Sequence, residues 1–314
     1  MSLERFDDYM NRCLYGGSGF YVSGGGRAGR RTGDFITSPE VGPLFGAVLA
    51  RWLDTVWQSL GQPDPFVVID AGTGPGTLLR SLERAAPACA QVWQLSGVDP
   101  AHGTELPVRL DGAVVVANEL LDNLVVRILE HRADGWHEVW VDDGQEVLRP
   151  LDEADVARLP GPIAALPVGA RTPWFEAAAA WVGDVLRRGA ATILAFDYGA
   201  PTTAELVERG GWLRTYRQHR RGDDPYVTPG SADITVDVAF DQLPPTRSLV
   251  RQDDFLVRYG IVELVDEGRR HWDAHAARPD LEAMVMRSRS NEAAALTDAS
   301  GLGGWLVATW GAGT

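Results

Sequence analysis

The chain has 314 residues, of which 45% are hydrophobic, so it is long enough for one large domain or two small ones and apolar enough for a sizeable core. Its 43 acidic residues outnumber 29 basic ones, giving a net charge of −14. This balance argues against nucleic acid as a partner, because phosphate binding needs a basic surface, and it suits a basic peptide segment better.

Two cysteines form no disulfide framework, so we expect a reducing, cytoplasmic compartment. We find neither an apolar leader nor a run of about 18 apolar residues, and we therefore expect no signal peptide and no membrane span. Neither composition nor pattern excludes a homodimer.

The N-terminal fifth of the chain, residues 1–60, is predicted to be a helical cap. Residues 3–14 have the spacing of a short helix, and a glycine-rich loop follows at 15–31. The polar segment at 32–40 could close over a ligand as the end of a lid spanning residues 16–40. Ser38 is a good N-cap with Pro39 at the first helical position, and apolar residues at i, i+3, i+4 spacing continue this helix to Val56.

The central motif lies at residues 66–77 and reads FVVIDAGTGPGT. Four apolar residues predict a buried strand, Asp70 ends it, and a loop with Gly72, Gly74 and Gly76 leads into a helix at 77–84. The dinucleotide fingerprint would need glycine at the position of Thr77, and a Walker loop is absent. An acid before the loop suits S-adenosyl-L-methionine, whose amino group is cationic. Another nucleotide ligand, or a glycine turn without a ligand, remains open.

Polar residues follow the next two predicted strands. Residues 92–98 form a strand ending in Asp99, which either holds a ribose diol or belongs to a surface Asp-Pro turn. Residues 113–117 form a buried strand followed by Asn118 and Glu119. If a helix starts at Glu119, Asp122 lies on the same face, at the ligand edge of the sheet. Both acids could equally be ordinary helix-start residues.

The remaining pattern predicts a doubly wound α/β fold. A hairpin is expected at 126–131 and 136–141, loop-like chain at 146–171, a helix at 172–188 and a buried strand at 192–196. The polar segment at 200–250 is either a solvated face or a substrate groove. A short helix at 252–259 and a last strand at 304–310 follow. His271 and His275 have the spacing of a helical metal pair, but no third ligand is evident, and we predict no metal site.

The chain resembles the MidA-like methyltransferases, which include the mitochondrial complex I assembly factor and bacterial homologues. The resemblance covers most of the chain, and its most specific motifs are GDFITSPE at 33–40 and NELLDN at 118–123. It also includes DAGTGPGT at 70–77, FDYG at 196–199 and DITVDVAF at 233–240. The sequence departs from the family at Asp99, where glutamate is usual, and at Asp237, where histidine is usual.

The resemblance implies a class I, Rossmann-like methyltransferase fold with an N-terminal helical cap and inserted hairpin and loop segments. We expect a single domain over 1–314: a cap at 1–60, a core at 61–125, 172–200 and 250–314, and substrate-side insertions at 126–171 and 200–250. The implied donor is S-adenosyl-L-methionine. The implied acceptor is a protein arginine, which the mitochondrial member dimethylates symmetrically on a complex I subunit.

Site residues are assigned on this basis. Glu119 and Asp122 are the candidate catalytic residues, because carboxylates can orient a guanidinium and polarise one nitrogen. The predicted cofactor-binding residues are Asp70, Gly72, Gly74, Gly76, Asp99, Asn118 and Thr37. Two other functions remain open: a methyltransferase acting on a small molecule, and a non-catalytic assembly module that binds its client.

Overall fold

The computed structural model describes residues 3–23, 37–99, 103–217 and 220–311. Its strands are β1 (Glu4–Arg5), β2 (Phe66–Ala71), β3 (Trp93–Val98), β4 (Val114–Asn118), β5 (Arg127–Arg132), β6 (Gly135–Asp142), β7 (Gln145–Pro150), β8 (Arg171–Trp174), β9 (Thr192–Asp197), β10 (Gly199–Ala200), β11 (Leu213–Arg217), β12 (Arg220–Gly222), β13 (Asp233–Val236), β14 (Val238–Ala239), β15 (Ser248–Arg251) and β16 (Leu306–Gly311). Its α-helices are α1 (Phe6–Tyr15), α2 (Ser38–Val41), α3 (Pro43–Ser59), α4 (Thr77–Ala85), α5 (Glu153–Arg158), α6 (Gly161–Ala164), α7 (Glu176–Arg187), α8 (Thr203–Arg209), α9 (Gln252–Arg258), α10 (Ile261–His275) and α11 (Leu281–Leu296).

The main sheet has the order β15-β16-β9-β4-β2-β3. Strands β3, β2, β4 and β9 are parallel, whereas β16 runs antiparallel to β9 and β15 antiparallel to β16. The carboxyl ends of the four parallel strands therefore meet at one edge of the sheet, where open α/β sheets bind ligands. The predicted α/β class and doubly wound core are confirmed.

Both faces of this sheet are buried, which explains the continuous apolar runs of its strands. Along β4, Val114 and Val116 face one hydrophobic cluster, and Val115 and Ala117 face another. The first cluster contains the apolar stripe of α3, and the second contains α1. The stripes predicted for both helices are buried as expected.

The helix predicted to start at Ser38 is in fact two helices. Helix α2 ends at Val41, Gly42 adopts a φ of +159°, and α3 begins at Pro43. The Ser38 side chain does not cap a helix; its hydroxyl donates to Gln252 Oε1 at 3.0 Å. The predicted lid at 16–40 falls largely on residues 24–36, which lie outside the described residues.

The predicted hairpin is confirmed as β5 and β6, but the chain after it is more ordered than the sequence indicated. Residues 146–171, predicted to be loop-like, contain β7, α5 and α6, and β7 pairs with β6. The predicted helix at 172–188 begins only at Glu176, because β8 pairs with β5 instead. These strands, together with β1, form a second sheet in the order β1-β6-β5-β8, with β7 also on β6.

The segment at 200–250 carries a small antiparallel sheet in the order β12-β11-β13. Buried polar side chains of this sheet include Asp233, at the start of β13. Within the described ranges, no helix is both long and apolar enough to cross a membrane.

Candidate active site

The glycine loop after β2 is fixed against the end of β3. Gly72 N donates to Val98 O at 2.8 Å, and Gly74 N donates to Asp99 Oδ2 at 3.2 Å. Gly72, Gly74 and Gly76 have φ values of +77°, +48° and +73°, which side chains with a Cβ rarely adopt. The loop therefore requires glycine at these three positions, and it brings Asp99 beside them.

Asp70 lies one residue before the end of β2, not after the strand as predicted, because the strand continues to Ala71. Its side chain is buried, and this burial raises the pKa of the carboxyl group from 3.8 to about 7. The Thr73 hydroxyl lowers the pKa and the Asp99 carboxylate raises it. A cation bound next to Asp70 would favour its ionised form.

Glu119 follows β4 in a left-handed backbone conformation with a φ of +54°. The expectation that a helix starts here is wrong, because Glu119 N donates to Phe196 O at 2.8 Å and extends the pairing with β9. Glu119 Oε1 accepts from Asn118 Nδ2 at 2.9 Å and from Ser38 N at 3.4 Å. Thr37, buried next to Ser38, is thereby brought to the same edge of the sheet.

Asp122 lies in a short 3₁₀ turn, Leu121–Asn123, and is 2% exposed. Its Oδ2 accepts a short hydrogen bond from the Tyr198 hydroxyl. Its Oδ1 is buried and has no hydrogen-bond partner among the described residues. Burial raises the pKa of Asp122 to about 6, although the Tyr198 hydrogen bond and Arg214 lower it.

Asp197, at the end of β9, was not singled out from the sequence. It is fully buried, and its Oδ2 accepts from Leu121 N at 2.9 Å and from Asp122 N at 3.3 Å. Its Oδ1 accepts from Tyr198 N at 3.0 Å. Asp197 therefore holds the 3₁₀ turn in place. Its position after a buried strand, in the FDYG motif, was the sequence signal that could have identified it.

A second group missed from the sequence connects the N-terminal segment to this turn. Tyr21 Oη lies 3.0 Å from Asn123 Oδ1 and 3.1 Å from Asp233 Oδ1, and Asn123 Nδ2 donates to Asp233 Oδ1 at 3.1 Å. The Tyr15 hydroxyl donates to Asn123 O at 3.1 Å, and the rings of Tyr15 and Tyr21 stack. No local pattern marks these partners, since Asp233 is 212 positions from Tyr21.

The predicted site residues form two adjoining groups. Around the glycine loop lie Asp70, Gly72, Gly74, Gly76 and Asp99; around the turn after β4 lie Asn118, Glu119, Asp122 and Thr37. The groups meet at Leu120, whose Cδ1 would lie 3.2 Å from a Cβ added to Gly72. The predicted site residues extend over 85 positions of the sequence, from Thr37 to Asp122, and the fold assembles them at the carboxyl edge of one sheet.

The comparison that decides the identity of the chain is with a family of S-adenosyl-L-methionine-dependent methyltransferases, whose model matches residues 90–254. The protein belongs to this family. The resemblance seen in the sequence is confirmed, and so are the enzyme class and the methyl donor.

Similar proteins support this assignment. The methyltransferase is 28% identical over 291 residues to the "Protein arginine methyltransferase NDUFAF7 homolog, mitochondrial" of Drosophila melanogaster, covering 74% of this chain and 61% of that protein. It is 26% identical over 293 residues to the corresponding protein of Bos taurus, covering 75% and 60%. The chain thus spans about three fifths of the length of these curated relatives.

Solved structures agree with the fold. A Burkholderia thailandensis protein bound to S-adenosyl-homocysteine superposes with a TM-score of 0.79 at 28% identity, over 98% of this chain and 87% of that one. A second crystal structure of a Burkholderia thailandensis protein gives a TM-score of 0.78 at 27% identity. The class I methyltransferase fold is therefore confirmed.

The residues present at the site of the methyltransferase fit S-adenosyl-L-methionine. Within the described ranges, and apart from the neighbouring residues of the loop, no atom lies within 4 Å of a Cβ built on Gly74, so this part of the loop leaves room for a ligand. Asn118 Oδ1 is a buried acceptor with no partner in the described part of the chain, and Asp70 is a buried carboxyl group that a cationic amino group would compensate. Asp99 is bound to the loop at Gly74, where its carboxylate could also accept from a ribose hydroxyl.

Proposed function

We propose that this protein is a protein arginine N-methyltransferase that binds the acceptor guanidinium at Glu119 and Asp122. The names of its curated relatives support an arginine acceptor. The net charge of −14 favours a basic substrate segment. Symmetric dimethylation and a client of the complex I type belong to the same proposal.

The observation that carries the proposal is the unpartnered Oδ1 of Asp122. A buried acceptor without a hydrogen bond is costly and calls for a donor. Glu119 lies three residues away in the sequence. Its pKa is raised well above its ordinary value by burial and then by the Asp122 carboxylate, so a bound cation would favour its ionised form. A guanidinium offers five N–H donors and one positive charge, which matches this pair of acids.

S-adenosyl-L-methionine supplies an electrophilic methyl group, and the reaction is an in-line displacement at its methyl carbon. Positioning of the two reactants can lower the activation free energy by about 7–11 kcal/mol. Glu119 and Asp122 orient the guanidinium and polarise the nitrogen that attacks. As the new nitrogen–carbon bond forms, the bond between the methyl carbon and the donor sulfur breaks, S-adenosyl-homocysteine leaves, and the attacking nitrogen must lose one proton. Asp122 Oδ1 is the acceptor for it, since Oδ2 is already occupied by Tyr198.

Glu119 also connects the turn after β4 to the start of α2. Its Oε1 accepts from Ser38 N, next to Thr37.

The test is methyl transfer from radiolabelled S-adenosyl-L-methionine into proteins of a cell lysate, with and without the enzyme. A labelled protein band whose hydrolysate contains methylated arginine is the expected result. Label that appears only in small molecules would replace the arginine proposal by a small-molecule acceptor. Donor binding with no label transferred to any product would indicate a client-binding module instead.

The roles of the two acids are tested by Glu119→Gln and Asp122→Asn, which keep shape and remove charge. Each should lower methyl transfer by at least about tenfold, equivalent to about 1.4 kcal/mol of transition-state stabilisation. The dissociation constant of the donor should change by less than about threefold, because these acids face the acceptor. Glu282→Gln, at an exposed position of α11, is the matched control. Weakened donor binding with full turnover would move Glu119 to the donor site.

A further inference from the structure

Tyr198, which directly follows β9, is contacted by Arg214 and by Trp305. The guanidinium carbon of Arg214 lies 5.1 Å from the centroid of the Tyr198 ring. The centroids of the Tyr198 and Trp305 rings are 5.3 Å apart. The hydroxyl at the end of this ring donates to Asp122 Oδ2. Burial raises the pKa of Tyr198 well above its ordinary value, so the hydroxyl keeps its proton and remains a donor.

Arg214 is itself fixed by a buried acid. It comes from β11 and forms an ion pair with Asp237, which follows β13 and is 3% exposed. Arg209 Nη2 binds the other oxygen of Asp237 at 2.6 Å. Arg214 Nη1 also lies 3.4 Å from the Tyr216 hydroxyl. The small sheet of the 200–250 segment is thus connected to the turn after β4 through Asp237, Arg214, Tyr198 and Asp122.

This chain of contacts determines which oxygen of Asp122 is free. A carboxylate can rotate and exchange its two oxygens unless one of them is held. The Tyr198 hydroxyl holds Oδ2 from the β9 side, and the backbone N–H of Asp122 is held by Asp197. Oδ1 is therefore the oxygen presented without a partner.

We propose that Tyr198 is a positioning residue for methyl transfer: supported by Arg214, it fixes the Asp122 carboxylate so that Oδ1 faces the acceptor nitrogen. This inference rests on the proposed role of Asp122 in binding a guanidinium. It assigns to the 200–250 segment a part in catalysis that is exerted through Asp122, without contact with the substrate.

The proposal has a consequence for the titration of Asp122. Its charged and titratable surroundings are Glu119 on its own loop, Asp197 and Tyr198 at the end of β9, Asp233 on β13, Arg214 on β11, and Tyr15 and Tyr21 from the N-terminal segment. Of these, the Tyr198 hydrogen bond and the Arg214 charge lower the pKa of Asp122, whereas burial raises it. Removing the Tyr198 hydroxyl should therefore raise the pKa of Asp122 further, and the ionised form should appear only at higher pH.

The experiment combines two measurements on Tyr198→Phe. The first is NMR titration of the protein labelled with carboxyl-¹³C aspartate, with the Asp122 signal assigned by its absence in Asp122→Asn. The second is radiolabel transfer into lysate protein as a function of pH. We expect an upward shift of the Asp122 titration, a fall in transfer of at least about tenfold, and an acidic limb displaced to higher pH. Donor affinity should stay within about threefold, since the hydroxyl faces Asp122.

Tyr259→Phe, at the end of α9, removes a hydroxyl away from the site and should change neither measurement. If Tyr198→Phe does not fold, Arg214→Gln supplies the same two readouts, and Arg214→Lys should restore part of the titration by restoring the charge. A loss of transfer with an unchanged Asp122 titration would overturn the positioning role, and so would unchanged transfer. Full activity of Asp122→Asn would instead overturn the proposed role of Asp122, which keeps the two failures distinguishable.

Discussion

Replacing Asp70 with asparagine separates the cost of burying this carboxylate from its contribution to donor binding. Asp70 is 4% exposed, and burial raises its pKa from 3.8 to about 7. A group whose pKa is raised on folding contributes stability that is fully present below its unfolded pKa and is lost as the pH rises through its folded pKa. For Asp70, this loss occurs between about pH 4 and about pH 7.

The magnitude follows from the size of the shift. One pKa unit corresponds to about 1.4 kcal/mol, so a shift of about three units is worth about 4 kcal/mol in total. About 2.5 kcal/mol of this falls between pH 5 and pH 8. Asparagine does not titrate, so the free energy of unfolding of Asp70→Asn, relative to wild type, should rise by about 2.5 kcal/mol over this range.

Urea denaturation of the donor-free protein at pH 5, 6.5 and 8 measures this difference. Titration calorimetry with S-adenosyl-L-methionine at pH 7.5 measures the contribution of Asp70 to donor affinity. The variant should bind the donor at least about tenfold more weakly, because an amide cannot pair with the amino group as a carboxylate does. Asp254→Asn, at an exposed position of α9, should show neither effect. A pH-independent difference in stability would refute the raised pKa of Asp70, and unchanged affinity would refute its pairing with the donor.

Two further substitutions test the glycine loop and the second sheet. Gly74→Val should abolish donor binding in calorimetry, because Gly74 has a φ of +48° and the valine side chain would fill space that the described residues leave open for the donor. Gly183→Ala in α7 should leave binding intact. Unchanged binding in Gly74→Val would place the donor elsewhere. Arg127→Met should lower the free energy of unfolding in urea by about 3–5 kcal/mol, because Arg127 is buried against Glu138, Asp155 and Glu176. Arg158 still pairs with Asp155 and Glu176 in the variant, whereas the buried Glu138 loses its ion-pair partner. A loss below about 1 kcal/mol would mean that these acids are neutral or solvated in the variant.

The main sheet could be predicted from sequence because its signals are local. Strands buried on both faces read as short apolar runs, and β2, β4 and β9 were recognised in this way. The strand β8 was missed because it contains Pro173, which reads as a helix start after Thr172. Its strand conformation depends on pairing with β5, about 45 residues earlier, which no local pattern reveals.

The division between α2 and α3 shows the opposite case, in which a local signal was present. Gly42 and Pro43 interrupt the apolar stripe, and a Gly-Pro pair is a strong break signal. The break is fixed by Glu292 of α11, whose Oε2 accepts from Leu44 N at 2.9 Å. A Cβ on Gly42 would lie 2.3 Å from the Glu292 side chain, so glycine is needed there for packing as well.

The candidate site was only half predictable. Asp70, Asp99, Glu119 and Asp122 could be identified because each lies at or after the end of a predicted strand, and such ends share one edge of a parallel sheet. Asp233, Tyr21 and Arg214 come from segments without that relation. Their place in the site depends on tertiary contacts over about 100 to 200 residues of sequence, as between Asn123 and Asp233. Sequence periodicity carries no information on such contacts.

The assembled site has an excess of buried acids, and this excess explains why its ligands should be cations. Burial raises the pKa values of Glu119, Asp197 and Asp233 well above their ordinary values, and it therefore disfavours their charged forms. Arg214 lowers the pKa of Asp122. The sulfonium donor with its ammonium group, and the guanidinium acceptor that we propose, each bring positive charge to this edge, where they would favour the ionised forms of these acids. Binding and ionisation of the acids are thereby coupled: each cation lowers the pKa of the carboxyl groups around it, and each ionised carboxylate strengthens the binding of the cation.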